Sequence, residues 1–210
     1  MELINIYNEN HEYIGICEKE LAHKLGLWHE VFNGIIVNKN KNSVIFQIKN
    51  AKHNKVHNTN KIEISVGGHY KSGEKFEDGI REIEEETGIK IDFKELIYLG
   101  KRQVSTIVKE DYIVREFQRI FLIPYNGSIT NLKCQDDEVD GFIEFNIDDC
   151  INLLLKKKSS IVGIDNHEKN VEVTLENFVK AYLDGDELYL RLVIASKRYI
   201  NGENLELLRW

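Results

Sequence analysis

Apolar and polar residues alternate over much of the first two thirds of the chain, a period-two pattern that predicts β-strands. Residues 2–17 alternate on both sides of a polar stretch at 8–10, which predicts a hairpin. Turn-forming asparagines at 38–42 divide residues 28–50 into two strands, and the polar residues 51–60 predict a loop. The predicted strands lie within residues 2–17, 28–50, 62–68, 95–109, 112–125 and 138–146.

A helical period replaces this alternation between Phe76 and Thr87, and Gly88 supplies a C-terminal stop. Two acids in the first turn favour another helix over residues 147–157. Further helical patterns cover residues 174–183 and 187–200. Strands mixed with a few helices indicate an α/β or α+β fold.

The chain shows no internal repeat and no low-complexity linker, so its division follows the predicted elements. We expect an N-terminal hairpin segment at 1–27 that packs on the core, and a central domain at 28–158. Residues 159–210 are expected to form a C-terminal helical extension, because about fifty residues are few for an independent domain.

Composition and charge narrow the classes of partner. Of 210 residues, 42% are hydrophobic and 30% charged, which suits a globular core. The formal net charge of -7 argues against nucleic acids and anionic membranes, which need clustered lysine and arginine. The three cysteines form no CxxC pair and the N-terminus lacks a signal-peptide pattern, so we expect a cytoplasmic location. A small phosphorylated substrate fits if a divalent cation supplies positive charge.

Residues 67–89 concentrate acidic side chains between glycines. On a helix, Glu82, Glu85 and Glu86 stand at i, i+3 and i+4 and share one face, whereas Glu84 points elsewhere. Three neighbouring carboxylates repel one another, and a hard cation such as Mg²⁺ removes that repulsion. A charge run of this kind also occurs as a plain solvated helix face, so the surrounding residues decide between the two interpretations.

Those surrounding residues resemble the Nudix box, a phosphate-hydrolysing motif written GX5EX7REUXEEXGU, in which U is apolar. The matching positions are Gly68, Glu74, Arg81, Glu82, Ile83, Glu85, Glu86, Gly88 and Ile89. One spacing differs, because six residues, 75–80, separate Glu74 from Arg81 where the motif has seven. Every spacing from Arg81 onward is retained, so we expect an intact glutamate face. The shortened spacing leaves open whether Glu74 braces Arg81.

The resemblance implies an α/β/α sandwich around a mixed central sheet. It also implies a hydrolase that uses Mg²⁺, or Mn²⁺ in its place, to activate water against a diphosphate linkage in a nucleoside diphosphate-X or related compound. Glu82 and Glu86 would be the principal metal ligands, with Glu85 shared between metal binding and general-base duty. The backbone carbonyl of Gly67 would add a ligand, and Arg81 would orient the glutamates through charge-assisted hydrogen bonds.

Further site residues follow from the same resemblance. Gly68 permits close approach of the substrate, and His69 beside it is a candidate phosphate contact. A downstream acid serves as general base in some Nudix subfamilies, which makes Glu138, or its neighbour Asp137, a candidate here. Arg102 and Arg115 lie on predicted strands, where contact with phosphate is the alternative to the favoured interpretation, an ordinary exposed position. Because Nudix proteins commonly dimerise, a homodimer is also expected.

Residues 3–155 further resemble Nudix proteins related to isopentenyl-diphosphate isomerase. That isomerase needs a cysteine directly before its Gly-His pair, where this chain has Gly67. Its metal site uses histidines and two strand glutamates, and Gln118 stands in place of the second acid. The positions that resemble its other ligands are His23, His29, His69 and Glu116. A structural role is an equal alternative for His29. The balance favours hydrolysis, with isomerase-like activity or a catalytically weak ligand sensor as alternatives.

Overall fold

The computed structural model of the protein describes residues 1–49, 61–134 and 139–209. Eleven β-strands within these ranges join into one sheet. They are β1 (Leu3–Tyr7), β2 (Tyr13–Glu18), β3 (Trp28–Asn38), β4 (Ser43–Lys49), β5 (Ile62–Glu63), β6 (Val66–His69), β7 (Ile97–Lys109), β8 (Tyr112–Pro124), β9 (Val139–Asn146), β10 (Ile161–Asp165) and β11 (Asn170–Val173). The predicted N-terminal hairpin and the predicted strand pairs are therefore confirmed. The predicted loop at 51–60 lies outside the described residues.

Strand β3 organises the sheet. Along one edge it pairs in parallel with β8, and along the other it meets β1, β6 and β4 in succession, all antiparallel. The strand order is β11-β10-β9-β4-β3-β1-β2, while β5 pairs with β4 and β7 with β8. The sheet is thus mixed, as predicted. Along β3, β6 therefore lies between β1 and β4. The candidate site described below is centred on β6.

Helices cover both faces of the sheet. They are α1 (Lys19–Leu25), α2 (Arg81–Thr87), α3 (Ile147–Leu154), α4 (Lys180–Leu183) and α5 (Leu188–Ile200). On β3, Phe32 packs in a core with Ile83 of α2, whereas Ile35 belongs to the opposite core with Leu153 and Leu192. A central strand that is apolar on both faces is typical of a sheet between two helical layers. The predicted sandwich is confirmed. Among the described residues, none of the helices has the length and apolarity needed to traverse a bilayer.

Local sequence signals set the helix ends. A 3₁₀ turn over Phe76–Ile80 runs directly into α2, which ends where Gly88 adopts a left-handed conformation with φ of 72°. Glycine takes that conformation without the steric cost of a Cβ atom. Asn146 caps the N-terminus of helix α3, where its side chain accepts hydrogen bonds from the amides of Asp148 and Asp149.

The C-terminal segment differs from the expected purely helical extension. It begins with β10 and β11, a hairpin that extends the main sheet beside β9, and only then continues into α4 and α5. The signal for this hairpin is two short runs that contain β-branched residues, 161–165 and 170–173, on either side of the polar stretch 166–169. The helical patterns at 174–183 and 187–200 correspond to a 3₁₀ turn with α4 and to α5.

Candidate functional site

Strand β6 is the centre of the candidate site. Its pairing with β3 alternates along the strand, which directs the backbone groups of Gly67 and His69 away from β3. The Gly67 amide instead donates to the carboxylate of Glu86 at 3.2 Å. The His69 carbonyl accepts a hydrogen bond from Arg81, also at 3.2 Å. Helix α2 is therefore fixed to β6 through the two predicted substrate- and metal-binding positions of the strand.

Gly68 and Glu82 fit against each other in a way that excludes a side chain at position 68. A Cβ atom built on Gly68 would overlap the carboxylate of Glu82, well inside van der Waals contact. Glycine at this position therefore lets the carboxylate of Glu82 lie against the strand backbone, and a larger residue would displace that carboxylate. Burial raises the pKa of the Glu82 carboxyl, and the guanidinium of Arg81 opposes this shift.

Glu86 is the most enclosed acid of the helix, with 1% of its surface exposed. Its Oε2 accepts hydrogen bonds from the Gly67 amide and from the side chain of Gln47, both at 3.2 Å. Gln47 lies on β4, so this carboxylate is held where β4 and β6 follow each other along β3. A buried carboxylate is stabilised by a cation that neutralises its charge, which makes this position suited to a metal ligand.

Arg81 links the other acids into one unit. Its Nε donates to Glu74 at 2.8 Å, its Nη1 to Glu85 at 2.6 Å and its Nη2 to Glu82 at 2.8 Å. The contact with Glu74 shows that the shortened spacing keeps this brace. The 3₁₀ turn at Phe76–Ile80 connects Glu74 to Arg81 within the six residues available.

The remaining acids of the helix differ in exposure. Glu85 has a side chain 41% exposed, within 3.8 Å of Lys71, so it faces solvent while Glu82 and Glu86 are buried. Glu84 points away from this face, as the helical spacing predicts. Its carboxylate pairs with Lys90 at 3.2 Å. The structure thus separates two enclosed carboxylates from one accessible carboxylate on the predicted face.

A second polar group lies on the opposite side of β6 from helix α2. One ligand-type atom from each of four side chains lies within 4.8 Å of the others, and the four are His23, His29, His69 and Glu116. We call this group the histidine–glutamate cluster. Nε2 of His23 is 3.1 Å from Nε2 of His69, and Nε2 of His29 is 3.9 Å from Glu116. His69 contributes its side chain to the cluster and its carbonyl to Arg81, so β6 connects both polar groups.

The protonation of the cluster favours metal binding. Nδ1 of His23 lies 3.3 Å from the Ile113 carbonyl and Nδ1 of His29 lies 2.9 Å from the Leu27 carbonyl. Because a carbonyl can only accept, each Nδ1 carries the proton and each Nε2 presents a lone pair. Nε2 of His29 is buried and makes no hydrogen bond within the part of the chain that the structure describes. Such an orphaned acceptor fits a cation bound at this position.

Burial also keeps these imidazoles neutral. It lowers the pKa of His23 and of His29 to about 4, and it lowers the pKa of His69 well below its usual range. Burial raises the pKa of the Glu116 carboxyl, which a hydrogen bond from Gln118 opposes. Three neutral imidazoles and a carboxylate are a ligand set suited to zinc, iron or other divalent transition metals.

A cavity of about 470 Å³ adjoins the histidine–glutamate cluster, and the acids of α2 are not among the described residues that line it. Its floor is formed by Gly67, Gly68 and His69 of β6, and its walls come from the long β7–β8 hairpin and the C-terminal segment. Further lining residues are Lys49, Glu63, Val104, Thr106, Tyr112, Val114, Glu116, Val179 and Tyr182. The cavity offers a mostly apolar space beside a polar end, the usual form of a small-molecule site.

Several site residues differ from their expected placement or are new. Arg102 is not exposed as expected but has a side chain only 11% exposed and lines the cavity, because Asp186 and Gln118 hold it there. Spacing alone does not predict Asp186, which lies 84 residues from Arg102 in sequence. Glu138 and Asp137 lie outside the described residues.

Sequence comparison places this architecture among known proteins. The family model of the NUDIX domain matches residues 27–162, well over half of the chain. An uncharacterised Nudix hydrolase of Clostridium acetobutylicum is 34% identical over 163 residues, which cover 74% of this chain and 75% of that protein.

Among the solved structures, a Deinococcus radiodurans protein agrees at the level of the fold. A crystal structure from Deinococcus radiodurans superposes with a TM-score of 0.52 at 18% identity, over 74% of this chain and 88% of that one. A MutT NUDIX hydrolase of Burkholderia pseudomallei matches with a TM-score of 0.44 at 17% identity, over 58% of this chain and 84% of its own.

Proposed function

Because the chain belongs to the Nudix hydrolase family, whose members act on pyrophosphate bonds, we propose that it is a Mg²⁺-dependent hydrolase of a diphosphate linkage. The substrate class is a nucleoside diphosphate-X or a related small phosphorylated compound, and Mn²⁺, which accepts the same oxygen ligands, is the alternative ion. The lack of a disulfide among the three cysteines and the net charge of -7 support a cytoplasmic enzyme that acts without nucleic acid. A homodimer is part of the same hypothesis.

The observation that carries the proposal is the shared bracing of the acidic face. Arg81 contacts Glu74, Glu82 and Glu85 together, and the Gly67 amide holds Glu86. A solvated helix face needs no such constraint on its carboxylates. Pre-arranged carboxylate oxygens in a partly dry site are the donor set that Mg²⁺ prefers, and the absence of a side chain on Gly68 gives them room.

The roles of the residues follow from their exposure. Glu82 and Glu86, both buried, would hold Mg²⁺ together with the Gly67 carbonyl. When bound, Mg²⁺ neutralises phosphate oxygens and lowers the pKa of coordinated water. Glu85 is accessible to solvent and is the described acid best placed to accept the proton of the attacking water. Glu138 remains an alternative general base.

The cavity lies on the other side of β6 from these acids, and residues 67–69 of that strand contact both. Gly68 lets a phosphate approach the strand backbone, and His69 would contact it from the floor of the cavity. A neutral imidazole can donate one hydrogen bond to a phosphate oxygen, without the charge that a lysine would bring.

The histidine–glutamate cluster would hold a second divalent metal, of the transition-metal type. Its orphaned His29 Nε2 and its neutral imidazoles fit such an ion. This cluster also keeps isomerase-like activity as the second candidate function. Against that candidate, Gly67 has no side chain, so the position before the Gly-His pair offers no cysteine thiol as a proton donor. A Cβ at this position would also come within 2.8 Å of Asn33 Oδ1.

The test is turnover of a panel of diphosphate compounds with Mg²⁺ or Mn²⁺, with products identified by mass spectrometry. The panel contains ADP-ribose, nucleotide sugars, dinucleoside polyphosphates and isopentenyl diphosphate. The Glu86→Gln variant should lose at least a hundredfold in kcat, and the matched Glu84→Gln variant should retain activity, since Glu84 faces solvent.

Each outcome separates the candidates. Cleavage that depends on Glu86 supports the hydrolase and identifies its substrate class. Isomerised isopentenyl diphosphate would replace it with the second candidate. Tight binding of a panel compound without turnover, measured by calorimetry, would instead support the ligand sensor.

A further inference from the structure

A chain of hydrogen bonds joins the C-terminal segment to the histidine–glutamate cluster. Asp186, which follows α4, accepts from Arg102 Nε at 2.6 Å and from Nη2 at 2.9 Å. Nη1 of the same guanidinium donates to Gln118 Oε1 at 2.7 Å. The amide nitrogen of Gln118 then donates to Glu116 Oε2, also at 2.7 Å. Every contact is side chain to side chain, and the last acceptor is a member of the cluster.

Arg102 is not arranged as a substrate-phosphate ligand. Its Nε and both terminal nitrogens already donate within the chain, and its charge is neutralised by a two-point contact with Asp186. Its guanidinium also lies 5.6 Å from the ring centre of Tyr182, a cation–π contact from the same C-terminal segment. A phosphate would have to displace these partners. Arg102 therefore links Asp186 to Gln118 and holds the side chain of Gln118 in place, rather than binding a ligand.

The chain fixes which oxygen of Glu116 faces the histidines. An amide can bond in either of two orientations, but Arg102 is a donor only, so it selects the oxygen of Gln118. The nitrogen of Gln118 must then face Glu116 and occupy Oε2. The other oxygen, Oε1, is left directed at His29, 3.9 Å from its Nε2. Glutamine in place of a second acid thus supplies a donor that orients the remaining carboxylate.

We propose that Asp186 is a positioning residue through which the C-terminal segment sets the affinity of the histidine–glutamate cluster for a divalent transition metal. This inference rests on the proposed metal-binding role of the cluster. Partners that orient metal ligands typically change metal affinity 10- to 100-fold when they are removed. Without the carboxylate of Asp186, Arg102 is released to pair directly with Glu116, where its charge would compete with the metal.

The experiment is a titration of chelator-treated protein with Co²⁺, followed by the visible absorption that cobalt gains with nitrogen ligands. Asp186→Asn keeps the shape of the side chain but loses its charge and should weaken Co²⁺ binding about tenfold or more. Asp184→Asn is the matched control, because Asp184 is exposed on the same segment and pairs at 4.0 Å with Lys180. It should bind Co²⁺ as the parent does. Asp186→Glu restores the charge and should recover most of the affinity.

The outcomes distinguish this proposal from the one on which it rests. Equal Co²⁺ affinity of the parent and Asp186→Asn overturns the positioning role but leaves the metal site intact. Equal losses in Asp186→Asn and Asp184→Asn also overturn it, since they indicate a general disturbance of the segment. If the parent binds no more Co²⁺ than a His29→Gln variant does, the metal role of the cluster fails and the positioning role fails with it. A melting temperature in chelator that is unchanged in Asp186→Asn, together with weaker binding, supports the proposal.

Discussion

The carboxylate of Glu82 occupies the space that a side chain on Gly68 would fill. A methyl group on Gly68 therefore fits only if the carboxylate of Glu82 moves. We expect Gly68→Ala to lower kcat/KM more than tenfold, because Glu82 must turn out of its position beside Arg81. Steady-state kinetics at saturating Mg²⁺ and a melting curve would separate this local effect from unfolding.

Gly67→Ala provides the graded comparison for that variant. A Cβ at position 67 would meet the Asn33 side-chain oxygen at 2.8 Å, which a rotation of that amide relieves in part. The activity loss should be smaller than for Gly68→Ala. Equal activity of the parent and Gly68→Ala would show that Glu82 need not stay where the structure places it.

Arg81→Lys tests whether the acids depend on a planar fork of donors. The guanidinium contacts three carboxylates and the His69 carbonyl, whereas an ammonium offers one point charge on a flexible stem. We expect kcat to fall about 10- to 100-fold, with a rise in the Mg²⁺ concentration needed for half-maximal rate. Arg115→Lys is the control, because Arg115 contacts the Gly26 carbonyl and none of the acids of α2. Unchanged metal dependence in Arg81→Lys would contradict the bracing role.

The local contacts of α2 could be predicted from the sequence, whereas the Asp186 network could not. The acidic face was predictable because its members lie within five residues of one helix, where the helical period fixes their spacing. The strands were predictable because alternation is also a local signal. The hairpin of β10 and β11 carries a local signal too, the Ile- and Val-containing runs at 161–165 and 170–173, but these runs are short.

Contacts between residues far apart in sequence are the part of the site that local patterns do not predict. The pairing of Arg102 with Asp186 joins residues 84 positions apart, and whether an arginine is exposed depends on such a partner. The histidine–glutamate cluster was accessible through the family resemblance alone, since nothing in the local patterns around His23 and Glu116 indicates that they meet. In the sequence, Gln118 only replaces the second acid of the isomerase-type metal site. The fold shows that its side-chain amide donates to Glu116.

Metal binding at the histidine–glutamate cluster should appear as added stability. A ligand at about 100 times its Kd that binds the folded state alone adds about 2.7 kcal/mol to the free energy of unfolding. We expect Zn²⁺ to raise the urea midpoint of chelator-treated protein. His29→Gln should abolish the increase, because it removes the buried Nε2 acceptor.

His167→Gln is the matched control for this measurement, since His167 lies on the exposed turn between β10 and β11. It should leave the zinc-dependent increase unchanged. An equal increase in the parent and His29→Gln would place the zinc elsewhere on the protein.

Cys150 offers a test of the core that is independent of the site. Burial in the core shared by α3 and α5 raises the pKa of its thiol to about 12. The thiolate is the reactive form, so the raised pKa keeps this thiol protonated at pH 8, and the side chain has no exposed surface. We expect iodoacetamide to leave Cys150 unmodified in the folded protein while it labels Cys17, which is partly exposed.

Peptide mass spectrometry across a urea series should show Cys150 labelling that follows global unfolding. Labelling of Cys150 at the rate of Cys17 without urea would show that α3 opens locally and that this core is less tightly closed than its burial indicates.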